Sequence, residues 1–140
     1  EDEVRQRSKG LSLENRIRIH NRISHNDLSK LYEWGDIFIN TSSIDNQPVT
    51  VLEAMASGMV VISSSVGGVP DIIMNNKTGL LADTYDVDSF CSNIDKVMKD
   101  NNLAQRISRD AIDYISDTFS DDIIYSQWKK IYKELGCSLA

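Results

Sequence analysis

The run MVVIS at 59–63 constrains the fold more than any other segment. Four of its five residues are apolar, Gly58 precedes it and two further serines follow. An alternating pattern would leave one face to water. A continuous apolar run of strand length asks for cover on both faces, as in a parallel sheet flanked by helices.

The flanking segments fit that demand. Residues 1–9 are charged and helix-compatible, with Gly10 as a stop. Ile17 and Ile19, bounded by Asn15 and Asn21, predict a short strand over 16–20. Ser24 stands three residues before Asp27, in the manner of a capping box. It opens a helix through Leu28, Leu31 and Tyr32 that Gly35 ends. Residues 36–40 predict a second strand and 41–47 a polar loop. Pro48 suits the first position of a helix that runs to about Ser57, with Gly58 as its stop. After 59–63, residues 66–70 turn into a short helix, 75–79 form a turn, and Leu80-Leu81 a last short strand. Asp86 caps a helix through Phe90, Ile94, Val97 and Met98, and Asn101-Asn102 break the chain. Two helices follow near 103–116 and 120–135, the last with Ile124, Trp128, Ile131, Tyr132 and Leu135 on one stripe. Strands alternating with helices predict an α/β fold: a Rossmann-like parallel sheet of four short strands with flanking helices, plus C-terminal helices. Residues 1–140 read as a single partial domain, the second half of a doubly wound one.

Composition narrows the function. The 140 residues suit one domain. The net charge is −6 and no basic face is evident, which argues against nucleic acid. Cys91 and Cys137 have neither metal-ligand spacing nor a CxxC pattern, and fit a reducing, cytoplasmic setting. No apolar run reaches the roughly 18 residues of a membrane span, and no signal peptide is recognisable. The chain opens on Glu1, as a fragment would.

In a parallel α/β sheet ligands sit beyond the carboxyl ends of the strands. The loops 41–47 and 64–69 leave such ends and lead into helix starts, where unpaired N–H groups and partial positive charge suit a phosphate. Asp45 lies just before the first helix. Glu53 lies roughly 7.5 Å along its axis from Pro48. Ionised carboxylates accept strong hydrogen bonds from sugar hydroxyls. The sketch is a nucleotide-sugar site, although the same residues also fit a solvated loop and a surface glutamate.

The run DNQPVTVLEAMASG at 45–58, then VVIS at 60–63, VGGVP at 66–70 and KTGLL at 77–81, resembles the retaining glycosyltransferases of family GT4, which have the two-domain GT-B architecture. The likeness extends over 11 to about 135. It implies ribose binding by Glu53 and donor-sugar binding by Asp45, Asn46, Gln47, Pro48 and Val49, in part through backbone N–H groups. It implies diphosphate binding at Thr50, Val51 and Leu52, with Asn21, Arg22 and Ile23 at the edge of the base. It implies a nucleotide diphosphate sugar as donor substrate, no cofactor and no metal. The saccharide, lipid-linked or other acceptor would be held by an N-terminal domain, peripherally at the membrane in some settings. The family's commoner first acid is Glu before a Gly-rich stretch; Asp45 is one methylene shorter. Its basic pair has no counterpart in residues 1–20. The chain alone is therefore expected to hold donor without catalysing transfer.

Other candidates have plainer readings. Asp86 and Asp88 form a D-x-D string at a helix start, where acids serve as caps, and Asp121-Asp122 read likewise. His20 and His25 flank the loop after the first expected strand. Trp128 and Tyr132 suit core or interdomain packing. The serines 63–65 have no His–Asp partner and read as a strand end. Cys91 reads as a buried, inert thiol. Two rival functions remain: an interaction module that kept the fold and pairs through an open sheet edge, and a GT-B sugar-nucleotide epimerase.

Overall fold

The computed structural model describes residues 1–136, and Cys137 and the His25 side chain lie outside the described residues. Its chain divides into two compact units, Glu1–Leu31 and the part from Tyr32 onward. In the first unit helix α1 spans Asp2–Gly10, with acids in its first turn and Arg7 and Lys9 in its last. Residues 16–20 form no strand. Arg16 N closes a turn on Leu13 O at 2.8 Å, and Ile17 is exposed. The Ile17–Ile19 alternation is present, but a strand exists only through a ladder, and no ladder partner stands opposite it among the described residues.

Helix α2, His25–Trp34, crosses from the first unit into the second. The Ser24–Asp27 pair forms as a variant of the expected box. Ser24 Oγ donates to Asp27 Oδ2 at 2.7 Å, and Lys30 joins the same carboxylate. The second unit continues with β1 (Ile37–Asn40), α3 (Val49–Ala56), β2 (Val60–Ser64), α4 (Val69–Ile72), β3 (Leu80–Ala82), α5 (Val87–Lys99), α6 (Asn101–Phe119) and α7 (Asp121–Glu134).

Among the described residues the sheet has three strands in the order β1-β2-β3, both pairs parallel, rather than the four expected. Ile37 pairs with Val60, and Ile62 lies between Ile39 and Leu80. Every residue of β2 is buried, as the continuous apolar run requires. Val60 and Ile62 join Leu80, Val97 and Ile107 in one core cluster, which Phe90, Ile94 and Leu103 extend. Phe38 is the register partner of Val61, on the other face by strand alternation. There Tyr32 packs on Phe38, ring centroids 6.2 Å apart.

Helix ends follow side-chain chemistry. Asp86 Oδ1 accepts from Ser89 N at 3.0 Å, and Asp100 Oδ1 from Leu103 N at 3.0 Å. The break between α5 and α6 is thus at Asp100, extended in conformation, and Asn101 already begins α6. Gly58 adopts φ +83 after α3, and its carbonyl accepts Ser108 Oγ at 2.6 Å.

Two expectations are corrected on the outer surface. Cys91 is exposed, because Phe90, Ile94 and Val97 take the inward face of α5. Of the core and interdomain packing expected of Trp128 and Tyr132, the core packing is absent: the α7 stripe buries none of its residues within this chain, and the two rings pack on each other at 5.8 Å.

Candidate functional site

The carboxyl ends of β1 and β2 are tied by small polar side chains. Asn40 Nδ2 donates to Ser63 Oγ at 3.0 Å, while Asn40 Oδ1 accepts from Ser42 N at 3.3 Å and Ser42 Oγ at 2.8 Å. Ser64 Oγ donates to Ser42 O at 2.5 Å. Ser63 and Ser64 are buried, and each hydroxyl has a partner. Ser63 and Ser64 therefore lie at the strand end, as expected, and brace it as well. The roles of Asn40 and Ser42 escape sequence reasoning, although consecutive small polar residues at a strand end are their signal.

That brace aims the two loops at each other. Gly67 has φ +51, and a Cβ placed on it would run into the Asp45 carbonyl oxygen. A Cβ on Gly68 would run into the Asn46 carbonyl oxygen. The loop after β2 thus lies backbone to backbone on Asp45 and Asn46, an approach open only to glycine. Asp45 is half-buried, Asn46 and Gln47 are exposed, and Pro48 is buried.

Pro48 is the N-cap of α3, with ψ 112, one position earlier than the first-turn place expected of it. It carries no N–H to offer a ligand. The amides of Val51 and Leu52 donate to Pro48 O at 3.0 and 3.4 Å, and Val51 is fully buried. The exposed residues of the helix start are Val49 and Thr50. No side chain caps this turn and no acid stands in it, so its partial positive charge is not offset by α3 itself.

Glu53 is half-buried further along α3. Its Oε2 accepts a hydrogen bond from Tyr32 Oη at 2.9 Å, across 21 residues of sequence. Burial first, then the Glu53 bond and its charge, push the Tyr32 phenol up to about 12. Tyr32 is the site neighbour that the sequence reading left on an apolar stripe.

Asn21, Arg22 and Ile23 are exposed members of the first unit. There Arg5, and to a lesser degree Asn21, hold the Glu1 carboxyl below its ordinary value. Among the described residues no helix is long and apolar enough to cross a membrane.

Comparison with known proteins bears on this arrangement. The family described as "Glycosyl transferases group 1" matches residues 1–114. The chain is 28% identical over 133 residues to the D-inositol 3-phosphate glycosyltransferase of Corynebacterium glutamicum, covering 95% of the chain and 32% of that protein. It is 26% identical over 127 residues to the N-acetyl-alpha-D-glucosaminyl L-malate synthase of Bacillus anthracis, covering 91% and 33%. The chain therefore spans about a third of the length of these relatives. Among solved structures, the C-terminal domain of a group 1 glycosyl transferase family protein from Francisella tularensis superposes with a TM-score of 0.79 at 25% identity, covering 86% of this chain and 62% of that one. Anabaena HepE, solved in complex with UDP, shares the fold with a TM-score of 0.87 at 22% identity, covering 95% and 36%. The family match takes in the braced strand ends, both apposed loops and α3, and the chain belongs to the glycosyl transferases of group 1.

Proposed function

We propose that the chain is the donor-binding part of a retaining glycosyltransferase of the GT4 kind. It holds a nucleoside diphosphate sugar while the sugar passes to an acceptor bound by another part of the enzyme. The observation that carries this reading is the start of α3. An eight-residue helix without side-chain cap or first-turn acid opens onto a loop that glycines press into place, with one carboxylate before it and one along it. The N–H groups of Val49 and Thr50 and the helix dipole take the diphosphate. Val51 and Leu52, whose amides serve Pro48, contribute through the dipole. Asp45 accepts from hydroxyls of the transferred sugar, with Asn46 and Gln47 beside it, and Glu53 accepts from the ribose. Anabaena HepE, which shares the fold, has also been solved with UDP-glucose, a donor of the proposed class.

In the reaction the bond from the anomeric carbon to the diphosphate breaks. The acceptor oxygen forms the new bond on the same face and gives its proton to the departing diphosphate. Charge growing on the departing diphosphate is stabilised by oriented amides that need no reorganisation. No resident metal is invoked, since Asp86 of the D-x-D string serves the α5 cap. Two cysteines without pairing spacing agree with a cytoplasmic setting.

Calorimetric titration with UDP, GDP and ADP tests the reading. Glu53→Ala is expected to weaken the tightest of them by about 1.5–3 kcal/mol, the loss of hydrogen bonds to a charged group. Unchanged affinity would remove Glu53 from the site.

A further inference from the structure

Glu53 is held by a neutral donor. Among the described residues no cation forms an ion pair with it, and Tyr32 Oη donates to its Oε2 at 2.9 Å. The phenol is itself anchored: Tyr32 is 8% exposed and its ring packs on Phe38 at 56°. An ionised carboxylate has about four lone-pair positions on two oxygens. The Tyr32 bond occupies one of them. It leaves Oε1 and part of Oε2 for two more donors, which is what a vicinal pair of hydroxyls supplies. An arginine or lysine in the place of Tyr32 would bind the same carboxylate but offset its charge. A tyrosine orients it and leaves the charge whole.

Resting on the donor-site reading above, we propose that Tyr32 is a positioning residue: it fixes the Glu53 carboxylate so that both oxygens face the vicinal ribose hydroxyls of a nucleoside diphosphate. Free glutamate samples several rotamers, and fixing one before the ligand arrives removes an ordering cost from binding. The phenol keeps its proton across the neutral range, so it remains a donor there.

The test separates orientation from mere packing. Dissociation constants are measured by calorimetry for the tightest of UDP, GDP and ADP, for its 2′,3′-dideoxy counterpart, and for inorganic pyrophosphate. The unsubstituted chain is expected to prefer the ribose form over the dideoxy form by about tenfold or more, the worth of hydrogen bonds to a charged group. Glu53→Ala brings that ratio close to one. Tyr32→Phe, which keeps the ring, lowers the ratio by about three- to tenfold and leaves pyrophosphate affinity unchanged. Glu53→Asp, which leaves Tyr32 intact but draws the carboxylate away from it, repeats the loss. If Tyr32→Phe shifts only the melting temperature, or Glu53→Asp keeps the ratio, the positioning role is overturned while the ribose role of Glu53 stands. If the unsubstituted chain shows no ribose preference, or none of the three diphosphates binds, or the ratio survives Glu53→Ala, the donor-site reading falls and this proposal with it.

Discussion

Gly67 turns its bare Cα toward the carbonyl of Asp45, in a left-handed conformation with φ +51, and no side chain fits between them. Gly67→Ala meets both obstacles, the left-handed backbone and the carbonyl. A loss of about 2–3 kcal/mol is expected. Gly68→Ala meets only the Asn46 carbonyl, so the loop has to shift there too, without the dihedral penalty. Gly10→Ala is the control: at the last residue of α1 its Cβ meets nothing within 4 Å, so little change is expected. Urea midpoints of the three variants give the order. Equal midpoints for Gly67→Ala and Gly10→Ala would contradict the loop apposition.

Tyr32 makes stability depend on alkaline pH. Below pH 10 the phenol is protonated in the folded and unfolded chain alike. Between its ordinary value of 10.0 and the folded value of about 12, the unfolded chain gives up the proton and the folded chain keeps it. The unfolded state then binds fewer protons, so stability falls with rising pH across that window. Tyr32→Phe removes this component. The difference in urea midpoint between the parent and Tyr32→Phe should therefore shift against the parent from pH 9 to pH 11. A flat difference would mean that the phenol is not buried against Glu53.

Ile62 sits at the centre of the sheet, fully buried between Ile39 and Leu80. Ile62→Ala should lose about 3–4 kcal/mol through removed contacts and a residual cavity, and Ile62→Val about 1 kcal/mol. Denaturation midpoints with an unchanged slope check both values.

Asp86 and Asp88 should separate cleanly. Asp86→Ala removes the bond to Ser89 N and about 1 kcal/mol of stability, and Asp86→Asn keeps most of it because asparagine also caps. Asp88→Ala, at an exposed first-turn position, should lose only a few tenths of a kcal/mol of dipole interaction. Thermal melts of the three variants suffice. Equal losses at both positions would count against the cap.

The sequence signals that held were those set by local physics. MVVIS required cover on both faces, and β2 has it. Asp86 was legible as a cap because its bond reaches only three residues on. The 45–58 run pointed to the family because its order of residue types is dense and specific, and the family match spans it. What stayed hidden depends on distant partners. Ile17 and Ile19 alternate as a strand does, yet no ladder stands opposite them among the described residues. Cys91 was misplaced because one helix position turns a side chain by about 100°. The Tyr32–Glu53 bond joins residues whose spacing in the chain announces nothing. The stripe on α7 was legible as a stripe, but its cover was not, and none of its residues is buried within this chain.

The full enclosure of β2 has a kinetic consequence. A strand paired on both edges and shielded on both faces releases its amides to solvent only in the rarest openings, so its hydrogen exchange should report the global unfolding free energy of the second unit. Asn46 and Gln47, exposed residues outside any helix or strand, should exchange within the fastest class. Yet Ser64 and Ser42 fasten the loop that carries Asp45 to that slowest strand. The backbone geometry offered to a ligand is then a property of the resting protein. On the donor-site reading proposed above, a ligand would meet this part of the surface already formed.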